Sequence, residues 1–158
     1  MRSGFTTPVD LQTIDTADGP LRQAMARISI QTRRPAFYPL TQSINNWLDM
    51  SYAGDGVLTV FIRHTSASLT IQENADPSVQ VDLLEALDRF APQDHPYKHN
   101  TEGPDDMPAH IRSLLTATSI TVPVIAGKMD LGTWQDVYLI EHRAYPHQRT
   151  MTLHYLGT

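Results

Sequence analysis

The sequence predicts a single α+β domain built mainly on an antiparallel β-sandwich, with two or three helices. The chain has 158 residues, of which 41% are hydrophobic and 18% are charged, as is usual for one folded domain. Strand-like and helix-like patterns follow one another in the order β, α, β, β, α, α and then several β. The closely spaced strand patterns late in the chain favour antiparallel pairing over a βαβ repeat.

The first residues differ in composition from the remainder. Residues 1–22 are polar, contain Gly and Pro, and follow no clear period. We interpret them as an N-terminal extension, ordered only against the body or a neighbouring subunit, of one domain that covers residues 23–158.

Alternation and turn residues define the elements of the first half. The alternation of polar and apolar residues from Met25 predicts a strand, and Thr41 is a predicted cap for a helix that residues 53–56 terminate. Residues 57–62 are nearly all apolar, which predicts a buried central strand, and residues 68–72 alternate again.

A second helix has a strong start signal. Asp76 is a capping carboxylate, Pro77 suits the first helical position, and Pro92 marks the end. The predicted apolar stripe of this helix comprises Val79, Leu83, Leu84, Leu87 and Phe90. A short third helix is predicted over residues 108–115, and three further strands follow it, over residues 120–125, 133–142 and 149–156.

Composition excludes several classes of function. The net charge is −5 and no dense Lys/Arg cluster is present, which argues against a nucleic-acid partner. The absence of cysteine removes disulfides, thiolate catalysis and Cys-ligated zinc. Neither a secretion signal nor a run of about 18 apolar residues occurs, so we expect a cytoplasmic protein with no membrane partner.

One loop concentrates groups that can bind a metal ion. Residues 97–110 hold two imidazoles, His99 and His110, together with three carboxylates, which are Glu102, Asp105 and Asp106. Nitrogen and oxygen donors on irregular backbone suit a divalent cation. Zinc and magnesium are the ions that we expect, and imidazole also accepts iron, nickel or copper.

A third imidazole, His64, closes the predicted central strand. If the loop folds back, His64, His99 and His110 can converge on one ion with an open position, at metal–nitrogen distances of about 2.0–2.1 Å. Glu102 and Asp106 would then orient the imidazoles or accept a proton as catalytic carboxylates.

Structural interpretations compete with this site. His99 and His110 are eleven residues apart, which matches no short zinc signature, and Asp105 and Asp106 can equally cap the third helix. The other histidines lack companions in the sequence and are interpreted as structural: His95, His142, His147 and His154.

Two further segments carry polar groups. The hydroxyls of residues 65–68 suggest a phosphate cradle or, as we prefer from sequence alone, an ordinary serine-rich turn. Lys128 and Arg149 are candidate anion partners of low specificity. Residues 131–135 combine a glycine, a hydroxyl, an indole and an amide, and we expect them to share one polar pocket with His64 and the loop of residues 97–110, although they can also be ordinary strand residues.

Four motifs follow one another along the chain: His64-Thr65-Ser66-Ala67, Glu73-Asn74-Ala75-Asp76, residues 97–110 and Leu131-Gly132-Thr133-Trp134-Gln135. Together they resemble the YjbQ family, which is described as a secondary thiamine-phosphate synthase. The resemblance covers residues 25–157.

The resemblance implies a jelly-roll-related antiparallel sandwich, a homotrimer and a metal near the histidines. It also implies slow joining of hydroxymethylpyrimidine pyrophosphate to thiazole phosphate, with release of pyrophosphate. Carried over by position, the metal ligands would be His64, His99 and His110, and the pocket lining would comprise Asn74, Asp76, Glu102, Asp106, Thr133, Trp134 and Gln135. This chain departs from the family pattern at Asp136, where glycine is frequent, and a side chain at this position can narrow the cleft or change its charge.

Three hypotheses of function remain open at this point. The first is a metal-dependent transferase of phosphorylated heterocycles. The second is a metal-dependent hydrolase or lyase of another small phosphorylated metabolite. The third is a non-enzymatic trimer that binds a metal or a metabolite.

Overall fold

Eight strands and three helices follow one another in residues 19–158, the part of the chain that the computed structural model describes. The elements are β1 Arg22–Gln31, β2 Ala36–Pro39, α1 Thr41–Met50, β3 Gly56–Ile62, β4 Ala67–Glu73, α2 Pro77–Phe90, α3 Asp106–Leu115, β5 Ser119–Ile125, β6 Lys128–Met129, β7 Gln135–Glu141 and β8 Gln148–Gly157. Most of the predicted extension, residues 1–18, lies outside the described residues.

The strands form two sheets in which every pairing is antiparallel. One sheet has the order β1-β8-β3-β5-β6 and the other has the order β2-β7-β4. The predicted α+β class with antiparallel sheets is confirmed. Strand β7 pairs with β4 along its whole length, from Ala67 opposite Glu141 to Glu73 opposite Gln135. This pairing places Glu141 at the beginning of β4 and Gln135 at its end.

The core lies between the sheets and is filled by alternate residues of the strands. In β3, Leu58, Val60 and Ile62 are buried, whereas Phe61 points outward and is 47% exposed. The prediction of a central β3 is confirmed, but only one of its faces belongs to the core. From the other sheet, Leu69, Val137 and Leu139 complete the same cluster.

Helix α2 begins as predicted. Asp76 is the N-cap, its Oδ1 accepts hydrogen bonds from the Ser78 N–H at 2.9 Å and the Ser78 hydroxyl at 2.7 Å, and Pro77 is the first helical residue. The Ser78 hydroxyl, and then its N–H, hold the pKa of Asp76 below its usual value. The predicted apolar stripe is only partly buried, and Phe90 at its end is 72% exposed.

Helix α1 begins differently from the prediction. Leu40 is the N-cap and makes no side-chain capping bond. The hydroxyl of Thr41 instead accepts a hydrogen bond from the Val137 N–H at 2.8 Å and donates to the carboxylate of Asp136. Thr41 therefore joins α1 to β7 rather than capping the helix.

Strand β2 is absent from the sequence prediction. It has four residues, ends in Pro39 and pairs with β7 along one edge of the smaller sheet. So short a segment carries too little alternation to be recognised. None of the helices described in residues 19–158 is long and apolar enough to cross a membrane.

Candidate metal centre

Helix α3 presents one predicted ligand, His110, and one predicted catalytic carboxylate, Asp106, on one face. Asp106 is its first residue and His110 follows four positions later, a spacing that brings side chains together on a helix surface. The Oδ2 atom of Asp106 lies 3.4 Å from Nε2 of His110. Asp105 precedes the helix but makes no side-chain capping bond, so capping does not explain these carboxylates.

The loop before α3 supplies the third group. Nε2 of His99 lies 2.7 Å from Oδ2 of Asp106, and the rings of His99 and His110 are 5.8 Å apart between centroids. One donor atom from each of these residues lies within 4.8 Å of the other two. The side chain of Asp106 is 4% exposed, whereas those of His99 and His110 are 42% and 37% exposed. The cluster therefore has a buried carboxylate beneath two accessible imidazoles.

Arg143 holds this arrangement in place, and the sequence analysis missed it. Its Nε donates to Asp105 Oδ2 at 3.1 Å, another guanidinium nitrogen contacts Asp106, and the third donates to the Glu102 carbonyl at 2.8 Å. Burial by itself raises the pKa of Asp105, but hydrogen bonds from the Ala144 N–H and from Arg143 outweigh it, so that pKa lies below its usual value.

The donor set fits a divalent ion. Two ligands of a tetrahedral ion at metal–ligand distances of about 2.0–2.1 Å are about 3.3 Å apart, and the separations of 2.7 and 3.4 Å bracket this value. Two imidazoles and one carboxylate are a donor set of catalytic zinc sites that retain an open position, and of other borderline metals. Arg143 contacts Oδ1 of Asp106, and Oδ2 faces the imidazoles, where it makes a hydrogen bond of 2.7 Å with Nε2 of His99 that a bound ion would replace.

His64 is not part of this cluster, which corrects the expected set of three imidazoles. Its Nε2 accepts a hydrogen bond from the Thr150 N–H at 2.9 Å, so that lone pair is already used. Burial, and then the charge of Arg149, lower the pKa of His64. Asp106 occupies the place in the cluster that the sequence analysis gave to His64.

The Trp134 segment lies at the other end of β4. Glu73, the last residue of β4, pairs with Gln135, and the Trp134 carbonyl accepts from the Asn74 N–H at 2.8 Å. His110, in contrast, lines a cavity together with Thr65, which precedes β4. Seven strand residues separate the two ends by about 20 Å. One chain therefore does not form the single pocket expected from the sequence.

The Trp134 end has a small cleft of its own. Its volume is about 360 Å³, and Trp134 beside it is 64% exposed. The Gln135 side chain turns back to accept from the Gly132 N–H at 2.8 Å. Thr133 is exposed nearby, whereas Asp136 does not line the cleft because its carboxylate contacts Thr41. Asp136 therefore does not narrow the cleft, and Asp76 acts as the cap of α2.

Of the histidines interpreted as structural, His142 has a companion that the sequence analysis did not identify. Its Nε2 lies 2.8 Å from the hydroxyl of Ser68, and both residues are buried. Burial, and then the charge of Arg112, lower the pKa of His142 to about 3. His142 is therefore a neutral core residue.

Comparison with known sequences identifies the family. A family model described as UPF0047 protein YjbQ-like matches residues 26–158. The UPF0047 protein sll1880 of Synechocystis sp. is 47% identical over 137 residues, which cover 86% of this chain and 93% of that protein. The UPF0047 protein YjbQ of Escherichia coli O157:H7 is 40% identical over 119 residues, which cover 75% of this chain and 86% of that protein.

Solved structures show the same fold. A YbjQ-like protein of Sulfolobus solfataricus P2 superposes with a TM-score of 0.81 at 22% identity, over 88% of this chain and 100% of that chain. A conserved protein of the YjbQ/UPF0047 family from Clostridium acetobutylicum gives a TM-score of 0.75 at 36% identity, over 81% of this chain and 97% of that chain. Sequence and fold agree, and the chain belongs to the YjbQ family.

Proposed function

We propose that the protein is a metal-dependent transferase of phosphorylated heterocycles, with slow thiamine-phosphate synthase activity. The observation that carries this proposal is the approach of donor atoms from His99, Asp106 and His110 to within 4.8 Å of one another at the surface. A buried carboxylate with two accessible imidazoles is suited to hold a divalent ion that a substrate can reach. The resemblance to the YjbQ family supplies the substrate class.

The reaction makes one bond and breaks one bond. The thiazole nitrogen attacks the methylene carbon of hydroxymethylpyrimidine pyrophosphate, a C–N bond forms, and the C–O bond to pyrophosphate breaks with its electron pair leaving on oxygen. A divalent ion held by His99, Asp106 and His110 would neutralise charge on the departing pyrophosphate. Arg143 would hold Asp106 in its orientation, as a partner behind a ligand does.

A second candidate is hydrolysis or elimination on another small phosphorylated metabolite. The carboxylate of Glu102 is 65% exposed and its Oε1 lies 4.0 Å from Nε2 of His99. An exposed carboxylate that lies beside the cluster is suited to accept a proton from an attacking water. Glu102→Gln should then abolish hydrolysis while leaving metal binding unchanged.

The first test measures metal binding and turnover on the same samples. Chelator-treated protein is titrated with Zn²⁺ and with Mg²⁺ by calorimetry, and thiamine phosphate formed from the two substrates is quantified. We expect one ion per chain and slow synthesis in the parent, and neither in the double variant His99→Ala His110→Ala. His154→Ala, a histidine on β8 that contacts Gln23, is the matched control and should retain both.

Three results would overturn this reading. Equal metal binding by the parent and the double variant would remove the metal centre. Metal binding without synthesis would reject the transferase, and a screen of phosphorylated metabolites would then test the hydrolase. Tight binding of a metabolite without turnover of any would favour a non-enzymatic binding protein.

We further propose that the protein is a homotrimer in which a neighbouring chain brings its Trp134 cleft to the metal centre. The separation of about 20 Å along β4 keeps these two sites apart in one chain. An exposed indole that can stack on a pyrimidine ring has no access to this chain's own cluster. Assembly of three chains would place the exposed indole of one chain beside the cluster of the next, although the two sites of each single chain stay apart.

Mixed assemblies test the shared site. The inactive variant His99→Ala His110→Ala is refolded together with Trp134→Ala, and thiamine-phosphate synthesis is compared with that of each variant alone. Sites built from two chains should regain activity in the mixture, because some interfaces combine an intact cluster with an intact indole. A mixture no more active than its components, or a monomer by light scattering, would refute sharing.

A further inference from the structure

The turn between β3 and β4 borders a cavity distinct from the metal cluster. Residues 61–66 and Thr118 line it, and its volume is about 590 Å³, within the range of about 300–1,000 Å³ usual for small-molecule sites. It lies at the surface, so a ligand can enter without any movement of the core. The polar groups around it show what kind of ligand would bind.

The hydrogen bond to His64 determines which ring nitrogen carries the proton. Nε2 of His64 accepts from the Thr150 N–H at 2.9 Å, so in the neutral ring the proton is on Nδ1. Burial, and then the charge of Arg149, lower the pKa of His64 and favour this neutral form. His64 therefore presents Nδ1–H as a donor.

A second donor faces this one. A terminal nitrogen of Arg149 lies 3.5 Å from Nδ1 of His64, and a guanidinium can only donate. The remaining nitrogens of Arg149 are satisfied by Glu141, at 2.7 and 2.6 Å, and by the Ser66 carbonyl at 3.2 Å. Arg149 is only 3% exposed, so its position is fixed. Arg149 is not among the residues that line the cavity, so the donor that this pair offers to an anionic oxygen there is Nδ1–H of His64.

Further groups on the cavity wall are unpaired. The hydroxyls of Thr65, Ser66 and Thr118 have no hydrogen-bond partner within residues 19–158, and the Arg63 guanidinium makes no ion pair there. Because Glu141 neutralises Arg149, Arg63 supplies the net positive charge. Every one of these groups can donate to an anion.

The cavity adjoins the metal cluster. Thr65 and Thr118 also line a second, largely apolar cavity of about 370 Å³ whose wall includes Met107 and His110. His110 belongs to the metal cluster. A molecule that spans both cavities would thus have its anionic end on the turn and its apolar ring beside the cluster.

We propose that Arg63, His64, Thr65 and Ser66, with Thr118, form a subsite that binds the phosphate group of the substrate. Its part in catalysis rests on the proposed function, because the ion at the cluster would act on the other end of the molecule. Binding of phosphate itself does not depend on that function. The substrate class is then a phosphate ester of an apolar or heterocyclic group.

The test uses inorganic phosphate as the probe. Chelator-treated protein is titrated with phosphate while amide resonances are followed by NMR, and Kd is compared among variants. Arg63→Ala and Thr65→Val change exposed side chains and should each weaken binding, about tenfold for the arginine. Arg27→Ala, an exposed arginine of β1 without an ion pair in the described chain, is the matched control and should not change Kd.

The double variant His99→Ala His110→Ala separates this subsite from the metal centre. Phosphate should bind it as tightly as it binds the parent, and should shift the amides of residues 64–66 in both. Retained binding with failed thiamine-phosphate synthesis would reject the proposed function alone. Equal Kd values for Arg63→Ala and Arg27→Ala, loss of phosphate binding in the double variant, or equal binding of acetate would each overturn the phosphate subsite.

Discussion

Two carboxylates of this chain each contact an arginine, yet their surroundings differ. Glu141 is 0% exposed, and its oxygens accept from Arg149, from the Thr32 hydroxyl at 2.6 Å and from two backbone N–H groups at 3.0 and 2.9 Å. Asp106 uses one oxygen for Arg143, while the other lies against two imidazoles. All partners of Glu141 are therefore hydrogen-bond donors of the buried framework, whereas two partners of Asp106 are imidazoles at the surface.

The difference distinguishes a structural ion pair from a ligand site. The partners of Glu141 are fixed donors inside the fold, and together with burial they leave no room for a ligand. The imidazole partners of Asp106 are 42% and 37% exposed and can bind a metal through nitrogen lone pairs. Similar pairs of charges thus serve stability at one place and, as we propose, chemistry at the other.

The largest effect is expected for removal of the Glu141 charge. Glu141→Gln leaves the guanidinium of Arg149 buried and unpaired, which typically costs about 3–5 kcal/mol. Burial by itself raises the pKa of Glu141, but the hydrogen bonds from Arg149 and Thr32 outweigh it and the pKa is lowered, so the carboxylate is ionised at neutral pH. Urea unfolding at pH 7 measures the change in the free energy of unfolding. A variant too unstable to show a cooperative transition would also be consistent with a loss of this size.

Two matched variants sharpen this result. Glu102→Gln removes the charge of an exposed carboxylate and should change the free energy of unfolding by no more than about 0.5 kcal/mol. Glu141→Leu Arg149→Met replaces both buried charges and should recover part of the loss. If Glu141→Gln were as stable as Glu102→Gln, the buried pair would not hold the fold.

The next effect is a dependence of stability on pH that arises from His142. Its pKa is about 3 in the folded protein and about 6.5 when unfolded, so between these values only the unfolded chain binds the proton. Stability should therefore fall as pH decreases below about 6.5, by up to about 1.4 kcal/mol per pH unit from this residue.

His142→Gln tests this linkage, since an amide can still bond to Ser68 but does not titrate. Urea unfolding at pH 6.5, 5.5 and 4.5 should show that the free energy of unfolding falls less steeply with decreasing pH in the variant than in the parent. The difference between the two slopes should approach the value for uptake of one proton on unfolding, about 1.4 kcal/mol per pH unit. Identical slopes would show that the imidazole is protonated in the folded state, contrary to its buried position.

Much of the fold could be predicted because hydrophobic alternation and turn residues are local signals. The Asp76-Pro77 start of α2 and the apolar strand β3 are examples, and both are confirmed. Strand β2 and the role of Thr41 could not be predicted, because each depends on β7, about a hundred residues away. Local sequence patterns do not reveal contacts between residues that are so far apart in the chain.

The candidate site was predicted only in part, for the same reason. His99, Asp106 and His110 lie within twelve residues of one loop and helix, and the two histidines were predicted as ligands, whereas Asp106 was predicted as a catalytic carboxylate. Arg143 was not, since only folding brings it to the acidic loop, and its place after β7 in Glu141-His142-Arg143 was the one available signal. His64 was assigned to the cluster because the sequence does not reveal that the Thr150 N–H already occupies its Nε2.

The smallest effect is expected for the imidazoles themselves. The double variant His99→Ala His110→Ala removes two half-exposed rings, while Asp106 keeps its contact with Arg143. Without metal, the free energy of unfolding should change by no more than about 1 kcal/mol. Saturating Zn²⁺ should stabilise the parent, by about 2.7 kcal/mol at a hundredfold excess over Kd, but not the variant. A loss of 3 kcal/mol or more in the metal-free variant would instead show that the cluster, like Glu141, stabilises the fold.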